Sequence, residues 1–340
     1  MNYCHILLIP LTTIEEQQTG YSKQGAKSLV GKTDFNFRLP FSRADFFQTK
    51  PITQKGMSIS GYQPKLQLII KDQQFDTIDK QGQFILKPSP EEYPYLAENE
   101  HATMAVMRTL GFKVPANGLV QFTLQANIEN AFVIKRFDRT NNGIPIHQEQ
   151  LDGAMNITDK YGKTGQNEEQ YISYERIAKF ILKHTRSDLS QKIELFRRIV
   201  YAYLLGNNDL HLRNFSLIYN EDRSIDLAPI YDFVSVCPYP EVFNSCYLAL
   251  PLLEKEEGGK KLADGFDTIY GQYIGKDFIE FGENIGINAK LLREKLIPEI
   301  LKEENTVLTT YQHSFIPQQH LIQITQCYLQ RLKLLRVYEC

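Results

Sequence analysis

The sequence has few cysteines, and their arrangement excludes the usual structural uses of that residue. Only five occur in 340 residues, and no two of them stand in a C-x-x-C pair. An odd and dispersed set argues against a disulfide framework and against a zinc site, and it favours a reducing compartment. The five positions are Cys4, Cys237, Cys246, Cys327 and Cys340.

Long apolar runs and an excess of one charge are also missing. The stretch "CHILLIPL" near the start is too short for a secretory core and lacks a basic leader. No apolar run approaches the roughly 20 residues that cross a bilayer. The formal net charge of −2 gives no reason to expect a polyanionic partner or an anionic membrane surface. We therefore expect a cytoplasmic chain without direct nucleic-acid or membrane partners, and with a buried strand at residues 6–9.

A hydrophobic content of 42% supports a buried core, and the first part of the chain has the pattern of a sheet. Four short apolar or alternating runs, separated by turn residues, predict antiparallel strands. Between the second and third runs, "YLAENEHATMAVMRTLG" carries apolar residues at helical spacing and ends at Gly111, so it predicts one inserted helix. The strand runs cover residues 65–70, 83–89, 118–124 and 131–137.

The segment from residue 20 to 56 is harder to interpret. It contains five phenylalanines without a clean period among many polar residues, so it is either packed and irregular or a docking surface. From residue 170 onward, helical periodicity predicts helices over 171–184 and up to Gly206, followed by two short strands and more helices. The fold class is therefore α+β, with a small mixed sheet lobe at 1–136, a larger helical lobe at 137–340 and a hinge near 135–138.

The polar stretch "GNNDLHLRN", residues 206–214, follows an apolar helix and carries the strongest chemical signal. Asp209 and Asn214 are five positions apart, and Asp232 follows the predicted hairpin in "YDF". Protein kinases place a catalytic Asp, a metal-binding Asn and a second metal-binding Asp in this order. Carboxylate and amide oxygens also suit Mg²⁺. The pair alone could simply cap a turn, and only its conjunction with a hairpin and a sheet lobe favours a kinase.

Two charged residues of the sheet lobe fit the same hypothesis. Lys87 closes a strand, where a kinase needs a lysine for the α- and β-phosphates, although such a lysine often only reaches solvent. Glu100 on the following helix is its expected ion-pair partner, or else a solvated helix carboxylate. His211 is interpreted as a core histidine that holds the loop by hydrogen bonds, in preference to a proton-transfer group.

A phosphate-covering loop is predicted in "KGMSISGYQPK", residues 55–65. Its glycines, Gly56 and Gly61, do not form a G-x-G-x-x-G motif, but its small centre would let backbone N–H groups approach phosphates. Ser58 and Ser60 stand where a phosphoryl group could be received.

Seven ordered motifs together resemble the HipA-like serine/threonine kinases, which are toxins of bacterial toxin–antitoxin systems. The match begins near Gly56, with 55 residues before it, and is similar to the shortened HipT form of three-gene HipBST systems. These motifs are "SISGYQPK", "FILKPS", "AENEHA", "VIKRFDR", "HQEQLDGA", "GNNDLHLRNFSLI" and "LAPIYDFVS".

The resemblance implies ATP and Mg²⁺ as cofactors and a role for each matching position. Asp209 matches the catalytic aspartate, Asn214 and Asp232 match the Mg²⁺ ligands, and the strand linking the lobes would contact adenine. Autophosphorylation is implied at Ser58 and Ser60. The implied ATP-binding set is Ser60, Gly61, Lys65, Lys87, Glu100, Lys135, Phe137, His211 and Asp232.

The resemblance also implies partners. Family members phosphorylate an aminoacyl-tRNA synthetase, and the HipT form implies the tryptophanyl enzyme. A HipS-like small antitoxin and a HipB-like DNA-binding protein would be the other partners. Two other functions stay open from the residues, namely a small-molecule kinase and a catalytically inactive kinase-like regulatory module.

Overall fold

Residues 2–48, 64–123, 128–140, 142–164, 169–239, 247–259 and 261–338 are described by the computed structural model. The chain divides into two units. The first unit comprises Met1–Ile146 and Thr309–Pro317, and the second comprises His147–Leu308 and Gln318–Cys340. The lobe boundary expected at residues 136/137 stays a prediction.

The first unit is built around a six-stranded sheet with the order β1-β5-β6-β4-β2-β3. β1 pairs parallel with β5, and the other neighbours pair antiparallel. Its strands are β1 (Arg38–Leu39), β2 (Leu66–Lys71), β3 (Gln74–Thr77), β4 (Phe84–Pro88), β5 (Asn117–Phe122) and β6 (Glu129–Lys135). Its helices are α1 (Ile14–Thr19), α2 (Lys23–Val30), α3 (Arg43–Gln48) and α4 (Leu96–Thr109).

The four strands predicted from apolar runs are confirmed as β2, β4, β5 and β6. The inserted helix is confirmed as α4, and Gly111 follows it with a positive φ of 87°. Sequence analysis missed β1 and β3. Asn36 forms a parallel bridge with Gln74 of β3, so the segment that contains β1, one edge strand of the sheet, also contacts β3, the other edge strand.

The strand predicted at residues 6–9 is wrong, because these residues form a turn. The Cys4 N–H donates to the Ile9 carbonyl at 2.9 Å, the Leu8 N–H donates to the Cys4 carbonyl at 3.0 Å, and Leu8 has a φ of 57°. Ile6 and Leu8 are nevertheless buried. An apolar run reports burial more directly than it reports backbone conformation.

The phenylalanine-rich segment packs into the core of the first unit. Phe37, Phe41 and Phe46 are buried in one apolar cluster with residues of the sheet. Phe46 lies edge-on to Phe122 of β5, with ring centroids 6.3 Å apart. The described part of this segment is therefore packed into the core, as the first of the two interpretations predicted. It contains the regular elements α2, β1 and α3.

The returning segment Thr309–Pro317 completes the first unit. The Tyr311 hydroxyl lies 3.1 Å from the Thr103 hydroxyl on α4. Phe315 stacks on His5 with ring centroids 3.9 Å apart. The first unit therefore depends on residues that are far away in the sequence.

The second unit is mainly helical and carries a three-stranded sheet with the order β11-β10-β7. Its strands are β7 (His147–Gln150), β8 (Lys163–Thr164), β9 (Glu169–Gln170), β10 (Ser216–Tyr219) and β11 (Ile225–Leu227). Its α-helices are α5 (Leu151–Ala154), α6 (Tyr174–His184), α7 (Leu189–Leu204), α8 (Gly275–Asn284), α9 (Ala289–Leu291), α10 (Ile297–Lys302), α11 (Glu304–Gln312), which continues into the returning segment, and α12 (Gln318–Leu334). Leu292–Leu296 form a π turn, and 3-10 segments occupy Leu212–Asn214, Glu254–Gly259 and Asp264–Asp267.

The helices predicted before the polar loop are confirmed as α6 and α7, and both begin at a side-chain cap. Ser173 Oγ accepts from the Arg176 N–H at 3.2 Å, and Asp188 Oδ1 accepts from the Gln191 N–H at 2.9 Å. Such caps satisfy N–H groups that have no partner inside the helix. The predicted hairpin is confirmed as β10 and β11, to which the structure adds β7.

Among the described residues, no helix combines the length and the apolar character that a membrane span requires. The described cysteines, Cys4, Cys237 and Cys327, are free thiols. Cys246 and Cys340 lie outside the described residues.

Two adjacent phenylalanines test the packed interpretation of the early segment. Phe46 is 0% exposed and Phe47 is 37% exposed. We expect Phe46→Ala to lower the free energy of unfolding by about 3–5 kcal/mol, because it removes a buried ring and leaves a cavity. Phe47→Ala is the matched control and should cost less than about 1 kcal/mol. Urea unfolding measures both, and equal effects of the two variants would contradict this packing.

Candidate active site

The polar loop begins where α7 ends, at a position that only glycine fits. Gly206 has a φ of 72°, and a Cβ added to it would lie 2.2 Å from Cys237 Sγ. The loop then passes through the 3-10 segment Leu212–Asn214. The Tyr174 hydroxyl, on the first residue of α6, donates to the Leu210 carbonyl at 2.7 Å. Cys237 thus leaves no room for a side chain at the start of the loop, and Tyr174 holds its middle.

The carboxamide of Asn214 joins the two aspartates that the sequence singled out. Its Nδ2 donates to the backbone carbonyl of Asp209 at 3.0 Å and to that of Asp232 at 3.3 Å. Because the nitrogen is committed to these two carbonyls, the amide oxygen points the other way, and no described residue donates to it. The structure therefore brings all three predicted residues together within the second unit.

Asp232 has an unusual backbone conformation. Its φ of +50° lies in the left-handed region, which costs a residue other than glycine on the order of 1–3 kcal/mol unless its surroundings hold it there. Aspartate tolerates this region better than most residues do. Such strain is commonly found at functional sites.

The carboxylate of Asp209 has one fixed oxygen. The Tyr161 hydroxyl donates to Asp209 Oδ1 at 2.5 Å. Burial, together with the charge and hydrogen bond of Asp209, raises the pKa of the Tyr161 hydroxyl well above its usual range. The side chain of Asp209 is 33% exposed. This arrangement keeps the tyrosine protonated while the carboxylate can still be reached from solvent.

His211 is a core residue, as expected, but its ring does not hold the loop. Its Nε2 lies 3.9 Å from Asp209 Oδ1, beyond hydrogen-bond range, and its buried Nδ1 has no partner among the described residues. The loop is closed here by the backbone, since the Asn214 N–H donates to the His211 carbonyl at 2.9 Å. Burial lowers the pKa of His211 to about 4, so the ring is neutral at pH 7.

Two further buried polar atoms of the loop lack a partner among the described residues, namely Asn207 Nδ2 and Asn208 Oδ1. An unpartnered buried polar atom carries a desolvation cost of about 1–3 kcal/mol, so such atoms are rare without a functional reason. Together with His211 Nδ1, three of them lie within five residues. The loop therefore has unused hydrogen-bonding capacity, as a ligand-binding loop would.

The first unit carries a separate charged pair. Lys87 Nζ on β4 lies 2.6 Å from Glu100 Oε1 on α4, and both side chains are only 4% exposed. Lys87 also lies 5.6 Å from the ring centroid of Phe132. A buried ion pair gives little net stability, because taking both charges out of water costs about as much as their attraction returns. A gain in stability alone therefore does not explain this pair.

The other ATP-binding residues predicted from the resemblance are only partly described. Lys65 lies directly before β2, Lys135 ends β6, and Phe137 follows in a turn. The Lys135 N–H donates to the Ala116 carbonyl at 2.8 Å. Residues 55–63 of the predicted phosphate loop, with Gly56, Ser58, Ser60 and Gly61, lie outside the described residues.

The donor set fits magnesium and a nucleotide phosphate by its chemistry. Asn214 offers an amide oxygen whose orientation is fixed by two carbonyls, and aspartate carboxylates are hard oxygen ligands of the kind that Mg²⁺ prefers. The residue types are those of phosphoryl-transfer sites, in the order that protein kinases use.

Comparison with known proteins identifies the family. The family model described as the HipA-like C-terminal domain matches residues 57–307. The chain belongs to the HipA-like family. A candidate kinase of Haemophilus influenzae is 61% identical over 338 residues, which cover 99% of this chain and 98% of that protein.

Two solved structures share the fold of this HipA-like chain. One is HipA of Shewanella oneidensis, solved with HipB and its operator DNA, with a TM-score of 0.62 and 21% identity over 82% of this chain. The chain spans 64% of that HipA chain. The other is the proinflammatory kinase CtkA of Helicobacter pylori, with a TM-score of 0.50 and 15% identity over 82% of this chain and 90% of that one. The predicted kinase-like α+β fold is confirmed.

Sequence reasoning missed Tyr161 and Tyr174, whose hydroxyls donate to Asp209 and to the Leu210 carbonyl of the loop. Tyr161 stands 48 positions before Asp209, and Tyr174 stands 36 positions before Leu210. The only local signal near Tyr161 is the turn pattern "DKYG" at residues 159–162, which predicts a turn but no contact with a distant loop.

The neutral state of His211 predicts a loss of stability in acid. The pKa of His211 is lowered from 6.5 to about 4. Above pH 6.5 the ring is neutral in both the folded and the unfolded chain, so it does not reduce the free energy of unfolding. As the pH falls from 6.5 towards 4, the unfolded chain binds a proton that the folded chain does not. Stability should then fall by up to about 1.4 kcal/mol per pH unit from this group alone.

Urea unfolding over that pH range, compared between the wild type and His211→Gln, measures this contribution. The stability difference between the two should shift in favour of the variant as the pH falls. His184→Gln, which removes a histidine at an exposed position in α6, is the matched control. A difference that does not change with pH would contradict the buried neutral state of His211.

Proposed function

We propose that this chain is an ATP- and Mg²⁺-dependent serine/threonine protein kinase that acts as the toxin of a toxin–antitoxin system, in the shortened HipT form. What carries the proposal is the amide of Asn214, which binds the backbones of Asp209 and Asp232. A turn cap needs only one of these bonds. A site that must hold a base and a metal ligand in fixed relation needs both.

The chain's own residues have distinct tasks in this proposal. Asp209 orients the acceptor hydroxyl and accepts its proton, and Asn214 and Asp232 are the metal ligands. Lys87 contacts the α- and β-phosphates, and Glu100 fixes its position. Bound Mg²⁺ supplies the positive charge that offsets the charge of the phosphates. The remaining ATP contacts are assigned to Ser60, Gly61, Lys65, Lys135, Phe137 and His211.

The acceptor in this proposal is an aminoacyl-tRNA synthetase, namely the tryptophanyl enzyme, whose phosphorylation would inhibit translation. The proposed partners are a HipS-like small antitoxin and a HipB-like DNA-binding protein. The Shewanella HipA structure, which contains HipB, supports the second of these. Membership in the HipA-like family supports a toxin–antitoxin setting.

The first test of this function removes the proposed base. Asp209→Asn changes the charge with little change in volume, so we expect phosphoryl transfer to fall by at least about a hundredfold while the chain stays folded. Transfer of labelled phosphate from ATP to purified tryptophanyl-tRNA synthetase, with magnesium, measures the effect. Asp226→Asn, at an exposed position in β11, makes the same charge change and should keep full activity.

Two outcomes would argue against a protein kinase. If the wild type labels neither itself nor any synthetase, the enzyme function fails, and ATP binding without transfer would favour the inactive regulatory module. If it labels only small molecules in a cell extract, it is a small-molecule kinase. Mass spectrometry of the extract after incubation identifies the modified species.

A second test concerns the proposed autophosphorylation of Ser58 and Ser60. Each phosphate adds about −1.5 to −2 charges beside the phosphates of ATP, so a modified loop should repel the nucleotide. After incubation with ATP, the wild type should therefore bind fresh nucleotide more weakly, whereas the Ser58→Ala, Ser60→Ala double variant should not. Ser28→Ala, in α2, is the control. Equal ATP affinity and equal toxicity of the wild type and the double variant would reject this mechanism.

A further inference from the structure

Tyr161 makes the shortest contact with the proposed base. Its hydroxyl donates to Asp209 Oδ1 at 2.5 Å, which is a charge-assisted hydrogen bond of the stronger kind. Its ring also meets the ring of His211 edge-on, with centroids 5.3 Å apart. No other described side chain donates a hydrogen bond to the Asp209 carboxylate. Tyr161 is therefore the described group that determines how this carboxylate is turned.

The backbone around Tyr161 is fixed independently of that contact. Asp159 Oδ1 accepts from the Tyr161 N–H at 2.9 Å and from the Lys163 N–H at 3.0 Å. The Lys160 carbonyl accepts from the Leu212 N–H at 3.1 Å, which ties this turn directly to the polar loop. Gly162, with a φ of 65°, allows the turn to form. The turn that carries Tyr161 is therefore fixed next to the polar loop without help from the Tyr161 hydroxyl.

The two oxygens of the carboxylate are in different situations. Oδ1 is occupied by Tyr161, whereas no described residue donates to Oδ2, and the side chain is one-third exposed. An ionised carboxylate has room for about four hydrogen bonds, so one donor does not exhaust it. Tyr161 therefore leaves an oxygen open to an acceptor hydroxyl.

We propose that Tyr161 is a positioning residue for phosphoryl transfer, which holds Oδ1 of Asp209 so that Oδ2 faces the acceptor hydroxyl. This rests on the proposed kinase function and extends it to a residue outside the kinase motifs. A carboxylate that rotates freely would present the wrong geometry for much of the time, and small misplacements of reacting groups are costly. In this role Tyr161 acts only through Asp209.

Tyr161→Phe removes the hydroxyl and keeps the ring against His211. We expect kcat for the protein acceptor to fall between about tenfold and a hundredfold, while KM for ATP stays within about twofold. The matched control is Tyr171→Phe. Tyr171 is an exposed tyrosine whose hydroxyl donates to Glu169 Oε2 at the same distance of 2.5 Å. This control should change neither constant. An unchanged or increased kcat of Tyr161→Phe would overturn the proposal, because an increase would mean that the tyrosine blocks the acceptor.

A second measurement tests the contact without activity. Thermal unfolding of the wild type, Tyr161→Phe, Asp209→Ala and the double variant forms a cycle that isolates the coupling of the two side chains, because alanine removes the acceptor oxygen that asparagine would keep. We expect Tyr161→Phe to lower Tm in the wild type and to have a clearly smaller effect beside Asp209→Ala. Additive shifts would overturn the proposal even if the enzyme is active. An inactive wild type with non-additive shifts would instead reject the proposed function and leave Tyr161 as a structural partner of Asp209.

Discussion

The amide nitrogen of Asn214 donates to the backbone of both Asp209 and Asp232, and the rest of the candidate site depends on these two bonds. They connect a loop that follows a helix to a segment that follows a hairpin. Because a carboxamide is planar, using its nitrogen in this way also fixes the direction of its oxygen. One side chain thereby holds the two segments together and orients a ligand atom, while the strained φ of Asp232 is kept in place.

Much of the fold could be predicted because its longer elements have clear periodicity. The runs that became β2, β4, β5 and β6, and the helices α4, α6 and α7, show either alternation or one apolar face. Elements of two residues, such as β1 and β8, are too short to show a period. The helix α1 did have a signal, since Thr13 and Glu16 form a capping box, but it has too few apolar positions to show a helical pattern.

The candidate site was predictable to the extent that it consists of local spacing. Asp209 and Asn214 belong to one loop, and Asp232 follows the adjacent hairpin. The order and spacing of these residues are therefore enough to predict that they form a site. Tyr161 could not be found in this way, because its contact with Asp209 is created by tertiary packing. For Tyr161 a real contact was missed, whereas for the ring of His211 hydrogen bonds were predicted that the structure does not show. A buried position was predicted correctly, yet the hydrogen bonds assigned to the ring are made by the backbone.

The return of Thr309–Pro317 to the first unit has a consequence for biosynthesis. Thr103 and Tyr311 stand 208 positions apart, so at about 5–20 residues per second the ribosome adds the second roughly 10–40 s after the first. A domain that is continuous in sequence usually folds as it leaves the ribosome. The first unit cannot complete its folding in this way, because it also needs residues 309–317. During that interval the nascent chain exposes the surfaces that Tyr311 and Phe315 later cover, and it is then most accessible to chaperones and proteases.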